Sequence, residues 1–471
     1  MLPALPTLQA LTLTATHLIL ATMVTVHALA NKRDPRAAVG WIGLAWLSPV
    51  VGSVLYALLG INRVRSRART LRGEAPRNAL LDAETRAAVS DGLQGVQIAG
   101  NRITRRNVEA GNDVEVFRNG DAAYPAMLTA IRGARRSVGL SSYLFRVDAA
   151  GQQFIDELAA ARAREVEVRV LLDGVGSGYF RSAAYQTLRD RGLRAGRFLH
   201  SVAPWRMPFI NLRNHRKLLV IDGCVAFTGG LNIGAENLVD TSPPHPVLDT
   251  HFRIRGPVVT QLVEAFADDW RFTTGEALAT ECWFGTPAAC GETIARVVTS
   301  GPDQDLEKIE LLIMEAVGSA RRSVRVMTPY FLPDERLTAA LSLAALRGAE
   351  VDIVVPERSN HRWIDWANRA QIEPLLRAGC RLWTHPAPFD HSKLLVIDGQ
   401  WCLIGSANWD TRSFTLNFEI NVELYDRVLA NKLEAFICAN RDAALTLDAL
   451  AARSTGARLR DSAARLLSPY L

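Results

Sequence analysis

The chain is predicted to be an α/β protein built as two pseudo-symmetric halves. Each half would be a mixed β-sheet flanked by helices, and a two-helix transmembrane hairpin would precede them. Three observations predict this. The 471-residue chain opens with two apolar runs. Strand-like runs then alternate with helical patterns, which implies a parallel or mixed sheet covered by helices. Most of that pattern occurs twice and closes each time on one frame, His215-Arg-Lys217-Leu-Leu-Val-Ile-Asp222-Gly223 and His391-Ser-Lys393-Leu-Leu-Val-Ile-Asp398-Gly399.

Residues 8–30 carry no full charge, and a second apolar run covers about 37–59. Each is near the roughly twenty residues that cross a bilayer core. A cleaved leader is disfavoured, because no basic segment precedes the first run and a second span follows it. Arg63, Arg65, Arg67, Arg69 and Arg72 come after the second run, against Lys32, Arg33 and Arg36 in the connection. This modest contrast predicts a catalytic region on the cytoplasmic side with the short loop outside, and a basic run beside the membrane attracts anionic lipid. The net charge of +6 favours anionic partners, either acidic lipid or nucleic acid. Six scattered cysteines show no metal-ligand spacing, so neither a zinc site nor a disulfide framework is expected.

The predicted organisation is 1–62 hairpin, 63–112 basic juxtamembrane segment and linker, 113–290 first half, 291–440 second half and 441–471 amphipathic tail. Ala134-Arg-Arg-Ser-Val138 recurs as Ala320-Arg-Arg-Ser-Val324. Each copy leads into a strand ending near an aromatic, at Ser142-Tyr143-Leu144-Phe145 and Pro329-Tyr330-Phe331. Further strands are expected at 166–172 and 351–355, each with a helix on either side. An apolar insertion at 204–209 precedes the first frame, a Pro-rich insertion at 241–247 follows it, and an irregular stretch at 275–291 joins the halves. In 453–467, Leu and Ala alternate with Arg on a helical pattern, which suits a helix on the membrane surface or one packed on the domain.

Each frame reads as a β-hairpin, since Asp-Gly is a strong two-residue turn. Counting back from that turn places His215 opposite Gly230 and His391 opposite Ser406. His215, Lys217 and Asn232 then share one face of a ladder, as do His391, Lys393 and Asn408. A histidine, a lysine and an amide around small residues suit the oxygens of a phosphodiester. Lysine occurs only at Lys32, Lys217, Lys308, Lys393 and Lys432, so two of five falling two residues after a histidine is not chance. A compact ammonium binds phosphate as a point charge. Asp222 lies seven residues from His215, roughly 23 Å along an extended strand, so Asp222 and Asp398 are turn and support members of the motif. Asp249 and Glu419, each downstream of its own hairpin, are candidates to orient the imidazoles. Asn232, Asn408 and the Ser406 hydroxyl are the candidate phosphate ligands, and Asp410 and Arg412 are expected to brace the loop after Asn408.

The duplicated His-x-Lys-x4-Asp frame resembles the phospholipase D superfamily. Asn214-His215-Arg-Lys217, Thr228-Gly-Gly-Leu-Asn-Ile-Gly234, Thr328-Pro-Tyr-Phe-Leu-Pro-Asp334 and Gly405-Ser-Ala-Asn-Trp-Asp-Thr-Arg-Ser413 together are similar to the bacterial cardiolipin synthases within it. The resemblance covers nearly the whole chain. It implies two phospholipase D-like halves in a bacterial cytoplasmic-membrane enzyme that transfers a phosphatidyl group between phosphatidylglycerols and releases glycerol. It further implies His215 as nucleophile, His391 as general acid/base, acidic residues at the positions of Asp249 and Glu419 holding the rings, and no metal or cofactor. Local sequence alone leaves the two histidines equivalent. Water, or another lipid or alcohol, as acceptor would make the same residues a phospholipase D-type hydrolase or a related transferase. A nuclease on this scaffold has no use for two membrane spans, and a silent lipid-binding scaffold has no use for two complete His-Lys-Asn sets.

Overall fold

The computed structural model describes residues 8–32, 35–60, 89, 91–200, 212–278, 280–302 and 305–468. The basic run from Arg63 to Arg72, the insertion at 204–209 and Arg33 lie outside the described residues. The first apolar run forms one helix, Leu8–Asn31, the only described helix long and apolar enough to cross a membrane. The second run departs from the predicted continuous span. It forms Pro35–Leu47, breaks at Ser48-Pro49-Val50, and resumes as Val51–Leu55 with a wider turn over Tyr56–Gly60. Proline offers no N–H and disfavours helical backbone in the residue before it, which accounts for the break. The pieces still pack on the first helix, burying Ala21, Val24, Ala28, Ala45 and Tyr56 between them.

The rest of the chain is a mixed α/β structure. Its strands in chain order are β1 Glu109–Arg118, β2 Ser137–Ser142, β3 Glu167–Asp173, β4 Arg194–Phe198, β5 Arg213–Asn214, β6 Leu218–Ile221, β7 Val225–Gly229, β8 Val247–Leu248, β9 Thr250–Arg255 and β10 Thr293–Ser300. They continue as β11 Ser323–Met327, β12 Phe331–Leu332, β13 Glu350–Pro356, β14 Arg381–His385, β15 Phe389–Asp390, β16 Leu394–Ile397, β17 Trp401–Gly405, β18 Trp409–Asp410, β19 Asn417–Tyr425 and β20 Ala444–Leu445. Sixteen of them form one continuous sheet, ordered β20-β14-β13-β11-β16-β17-β19-β10-β1-β9-β7-β6-β2-β3-β4, with β5 paired to β19. From one side the order runs β4-β3-β2-β6-β7-β9-β1, and from the other it runs through the corresponding strands β14-β13-β11-β16-β17-β19-β10. The seam is the antiparallel pairing of β1 with β10. Beside it, Arg296 on β10 faces Glu423 on β19 in register and pairs with it at 2.6 Å, both side chains fully buried.

Leu, Val and Ile along the strands supply both faces of the sheet. One face carries a shared core in which Leu262, Phe266 and Trp270 of helix Val259–Thr274 and Leu429, Leu433 and Ile437 of helix Arg427–Ala439 pack together with strands from both sides of the seam. The other face carries two separate cores, under helices Asn119–Gly133 and Ala149–Ala163 and under helices Lys308–Ser319 and Glu335–Leu346.

Both frames form the predicted hairpins, with Asp222 and Gly223, and Asp398 and Gly399, at positive φ. The register differs from the count by one residue. Ile221 pairs with Val225 rather than Cys224, and Ile397 with Trp401 rather than Gln400, so each loop holds three residues. The aspartates explain a second repeat. Asp222 accepts the backbone N–H groups of Arg135, Arg136 and Ser137, and Asp398 those of Arg321, Arg322 and Ser323. The recurrent Ala-Arg-Arg-Ser segment is thus the partner of the recurrent Asp, and together they fasten the hairpin turn to the start of the neighbouring strand. Replacing Asp398 with Ala leaves three donors without their carboxylate, and hydrogen bonds to charged groups contribute about 1.5–3 kcal/mol each before relaxation and solvent entry. Thermal unfolding of Asp398→Ala in detergent should show a loss of about 2–3 kcal/mol, with specific activity retained below the transition.

Candidate active site

Each histidine stands where its chain leaves a contact with the other side of the seam and enters its own hairpin. The His215 N–H donates to the carbonyl of Phe418 on β19 at 2.9 Å, and the His391 N–H to that of Leu248 on β8 at 2.7 Å. The side chains cross in the same sense. His215 Nδ1 lies 3.0 Å from both carboxylate oxygens of Glu419, and His391 Nδ1 lies 2.9 Å from Asp249 Oδ2. Glu419 and Asp249 are the orienting residues expected from the sequence, but each holds the histidine of the opposite repeat.

The crossing also revises the small residues. The backbone of Ser406 faces His215 and that of Gly230 faces His391, the reverse of the expected pairing. The pairings of β5 with β19 and of β15 with β8 account for this, because they bring the residues before each histidine alongside the carboxylate of the other repeat. A Cβ on Gly230 would sit 2.1 Å from Asp249 Oδ1, so only glycine leaves room for that carboxylate. Ser406 is not placed as a phosphate ligand. Its hydroxyl donates to Glu419 Oε2 at 2.6 Å, and the amide of Asn417 donates to Oε1 at 3.1 Å.

The two imidazoles face one another edge to face, with ring centroids 6.4 Å apart. Both rings open onto a cavity of about 790 Å³ that Asn232 and Asn408 also line. Asn232 Oδ1 accepts the N–H of Leu144 at 3.2 Å, while Asn408 Oδ1 is buried without a protein partner. Lys217 and Lys393 are buried and donate to the carbonyls of their own histidines, at 2.7 and 2.5 Å. Between them and the histidines, Arg216 is tied to Asp269 at 2.8 Å and to the carbonyl of Glu419 at 3.1 Å, and Ser392 to Thr250 at 2.8 Å. Asp222 and Asp398 stay at the turns described above.

Burial governs the titration of this cluster. It pushes Glu419 and Asp249 up to about 7, against the pull of the lysines. It lowers Lys393 to about 8 and Lys217 further below the usual lysine range. Burial, then the two lysines, holds both imidazoles well below the ordinary histidine value. The free site therefore favours neutral rings whose Nδ1–H is donated to a carboxylate, which leaves the Nε2 lone pair available.

Several wall residues were not singled out from the sequence as site residues. Tyr143 packs 4.9 Å from His215 and Tyr330 packs 6.2 Å from His391, ring to ring. Arg213 and Asn417 also line the cavity, and the Pro-rich insertion adds His245 and Val247. The duplication held the signal for the tyrosines, since both come shortly after the strand that Ala-Arg-Arg-Ser leads into. Asp410 does brace its loop, accepting the Ser413 N–H at 2.6 Å, and Arg412 lines the cavity beside Arg213 and Asp410.

With this geometry in place, comparison with known proteins is direct. The family model for the cardiolipin synthase phospholipase D-like domain matches residues 127–270 and 313–439, one block around each histidine. The chain is 34% identical to the cardiolipin synthase of Geobacillus kaustophilus over 459 residues, covering 94% of this chain and 90% of that protein. It is 32% identical to cardiolipin synthase A of Pseudomonas aeruginosa over 466 residues, covering 96% and 94%. Among solved structures, the phosphatidylserine synthase of Haemophilus influenzae superimposes with a TM-score of 0.60 at 13% identity, covering 80% of this chain and all of that one, which is a likeness of fold. By its duplicated frame, its full-length relatives and the two blocks that the family model matches, this chain belongs to the cardiolipin synthase family of phospholipase D-like proteins.

Proposed function

We propose that the chain joins two phosphatidylglycerols into cardiolipin and releases glycerol, through a phosphohistidine on His215. The observation that carries this reading is the pair of opposed buried imidazoles on one cavity, each with Nδ1 engaged by a carboxylate. In the first step His215 Nε2 attacks the donor phosphorus. A P–N bond forms, the bond to the headgroup glycerol oxygen breaks, and His391, protonated once the anionic substrate enters, gives that oxygen its proton. In the second step the headgroup hydroxyl of another phosphatidylglycerol passes its proton to His391 and attacks phosphorus. The P–N bond breaks and His215 is restored. Lys217 and Lys393 offset the negative charge from beneath, and the amides of Asn232 and Asn408 contact the phosphoryl oxygens.

The architecture supports two halves related by a pseudo-two-fold axis through the β1–β10 seam, with corresponding strand orders outward from it. The broken second apolar run, packed on the first, completes a membrane hairpin whose outward Leu and Val side chains are exposed. The chain so anchored works at the bacterial cytoplasmic membrane, with its catalytic body on the cytoplasmic side and phosphatidylglycerol and other anionic phospholipids, rather than nucleic acid, as partners.

Purified protein in phosphatidylglycerol vesicles with a chelator should yield cardiolipin and glycerol in equal amounts. Both His215→Ala and His391→Ala should lose at least about a thousandfold in rate, on the scale of general acid–base catalysis or more. Intact-mass analysis of a slowed His391 variant should find the phosphatidyl adduct on His215. Phosphatidic acid as the main product would assign a hydrolase instead, and an adduct on His391 would reverse the roles.

The pH dependence follows from the carboxylates. With Glu419 and Asp249 near 7, acidification below that value protonates them and removes the acceptors of Nδ1–H. Activity should therefore rise between pH 6 and 8 with a midpoint near 7. Glu419→Gln, whose amide oxygen accepts but does not titrate, should lower the rate about 10–100-fold, as changes in such supporting partners do, and make this limb less steep. An unchanged limb would separate it from Glu419.

A further inference from the structure

The C-terminal helix Thr455–Arg465 does not close the catalytic core. It lies against the short helix Arg362–Arg369 at the edge of the catalytic cavity. Asp461 and Ala464 face inward, Arg460 stacks 4.4 Å over the ring of Trp366, and Gln371 bonds the Ser468 hydroxyl at 3.1 Å. The opposite side of the helix is bare and presents two large apolar side chains. Leu459 and Leu466, one above the other at seven-residue spacing, are 67% and 76% exposed, with Leu467 beside them. Arg458 and Arg465 form a parallel row on the flank. Across the groove, Trp363 is 54% exposed, packs on Trp366 and also lines the catalytic cavity, so it sits at the cavity mouth. Among the described residues no carboxylate pairs with the side chains of Arg362, Arg458 or Arg465.

We propose that this face, carrying Trp363, Leu459, Leu466, Leu467 and the arginines Arg362, Arg458 and Arg465, docks on an anionic phospholipid monolayer and turns the cavity mouth toward the headgroups. The inference deepens the phosphatidyl-transfer reading and rests on it. Three arguments favour lipid over a protein occupant. The pattern is that of an interfacial helix, with Leu and Trp on the face that enters the headgroup boundary and Arg beside it. Among the described residues no carboxylate offsets this arginine charge, which complements acidic headgroups, each basic residue near such a surface adding to attraction. The face is continuous with the cavity through Trp363, so a lipid leaving the monolayer need not cross water with its acyl chains exposed.

The test uses the full chain, membrane helix included, with two substrate forms: phosphatidylglycerol in mixed micelles of varied surface density, and a short-chain phosphatidylglycerol below its micelle concentration. The variant Leu459→Asp/Leu466→Asp should raise the interfacial KM about tenfold or more, while turnover of the monomeric substrate stays at the wild-type level. Arg458→Glu/Arg465→Glu should do the same only when the micelles carry net negative charge. An interfacial KM unchanged in both variants would overturn the proposal. Where a variant loses both activities, wild-type protein in vesicles bearing a photoactivatable acyl chain decides. Adducts within 362–366 and 455–467 support docking, and adducts confined to 8–60 refute it. Covalent capture of a second copy through this face, in place of lipid, would refute it as well. Loss of transfer by the wild type on every substrate would strike the underlying reading, a result distinct from any of these.

Discussion

The active site depends on keeping two ammonium groups and two carboxylates out of water at once. Lys217, Lys393, Glu419 and Asp249 are all buried within one cluster, and desolvation pushes each toward its neutral form. Stripping charge of solvent costs several kcal/mol per ion unless partners satisfy every remaining lone pair and proton. The surroundings supply those partners: Ser406 and Asn417 on Glu419, the Thr250 N–H on Asp249, and the histidine carbonyls on the two ammonium groups. Gly230 is required for the same reason, since a side chain there would displace the carboxylate that balances the cluster.

Much of this was legible in the sequence, because duplication marks positions that composition alone does not. The His-Lys frames and the two asparagines meet at one cavity, and the two carboxylates reach the imidazoles, each that of the repeat opposite to the one the sequence suggested. The repeated Ala-Arg-Arg-Ser and the distant Asp were visible as separate repeats, and the fold shows them to be one contact. What was not legible is long-range. Nothing local says that β10 inserts between β1 and β19 and merges two sheets into one, or that Arg296 is buried at the seam against Glu423. The crossing of Glu419 and Asp249 follows from that merger. The hairpin count failed by one residue because Asp-Gly turns also close three-residue loops, and Ser406 meets a carboxylate instead of the cavity.

The two histidine sites are alike in plan and unlike in detail. The longer carboxylate, Glu419, meets a serine hydroxyl and engages its ring through both oxygens, whereas the shorter Asp249 meets glycine and uses one. Tyr143 packs closer to His215 than Tyr330 does to His391, and Phe389 adds a second ring beside His391 at 5.9 Å. A nearly equivalent pair of groups thus receives different surroundings, which suits the proposed division into nucleophile and proton-transfer group.

The crossed carboxylates have a consequence for how such a chain can change over generations. Duplication ordinarily supplies a spare, one copy free to drift while the other keeps the task. Here each repeat holds the other's imidazole, so damage at Asp249 is felt at His391 and damage at Glu419 at His215. Neither copy is redundant. Both must be inherited intact, and a new specificity has to arise in the cavity walls and insertions around them.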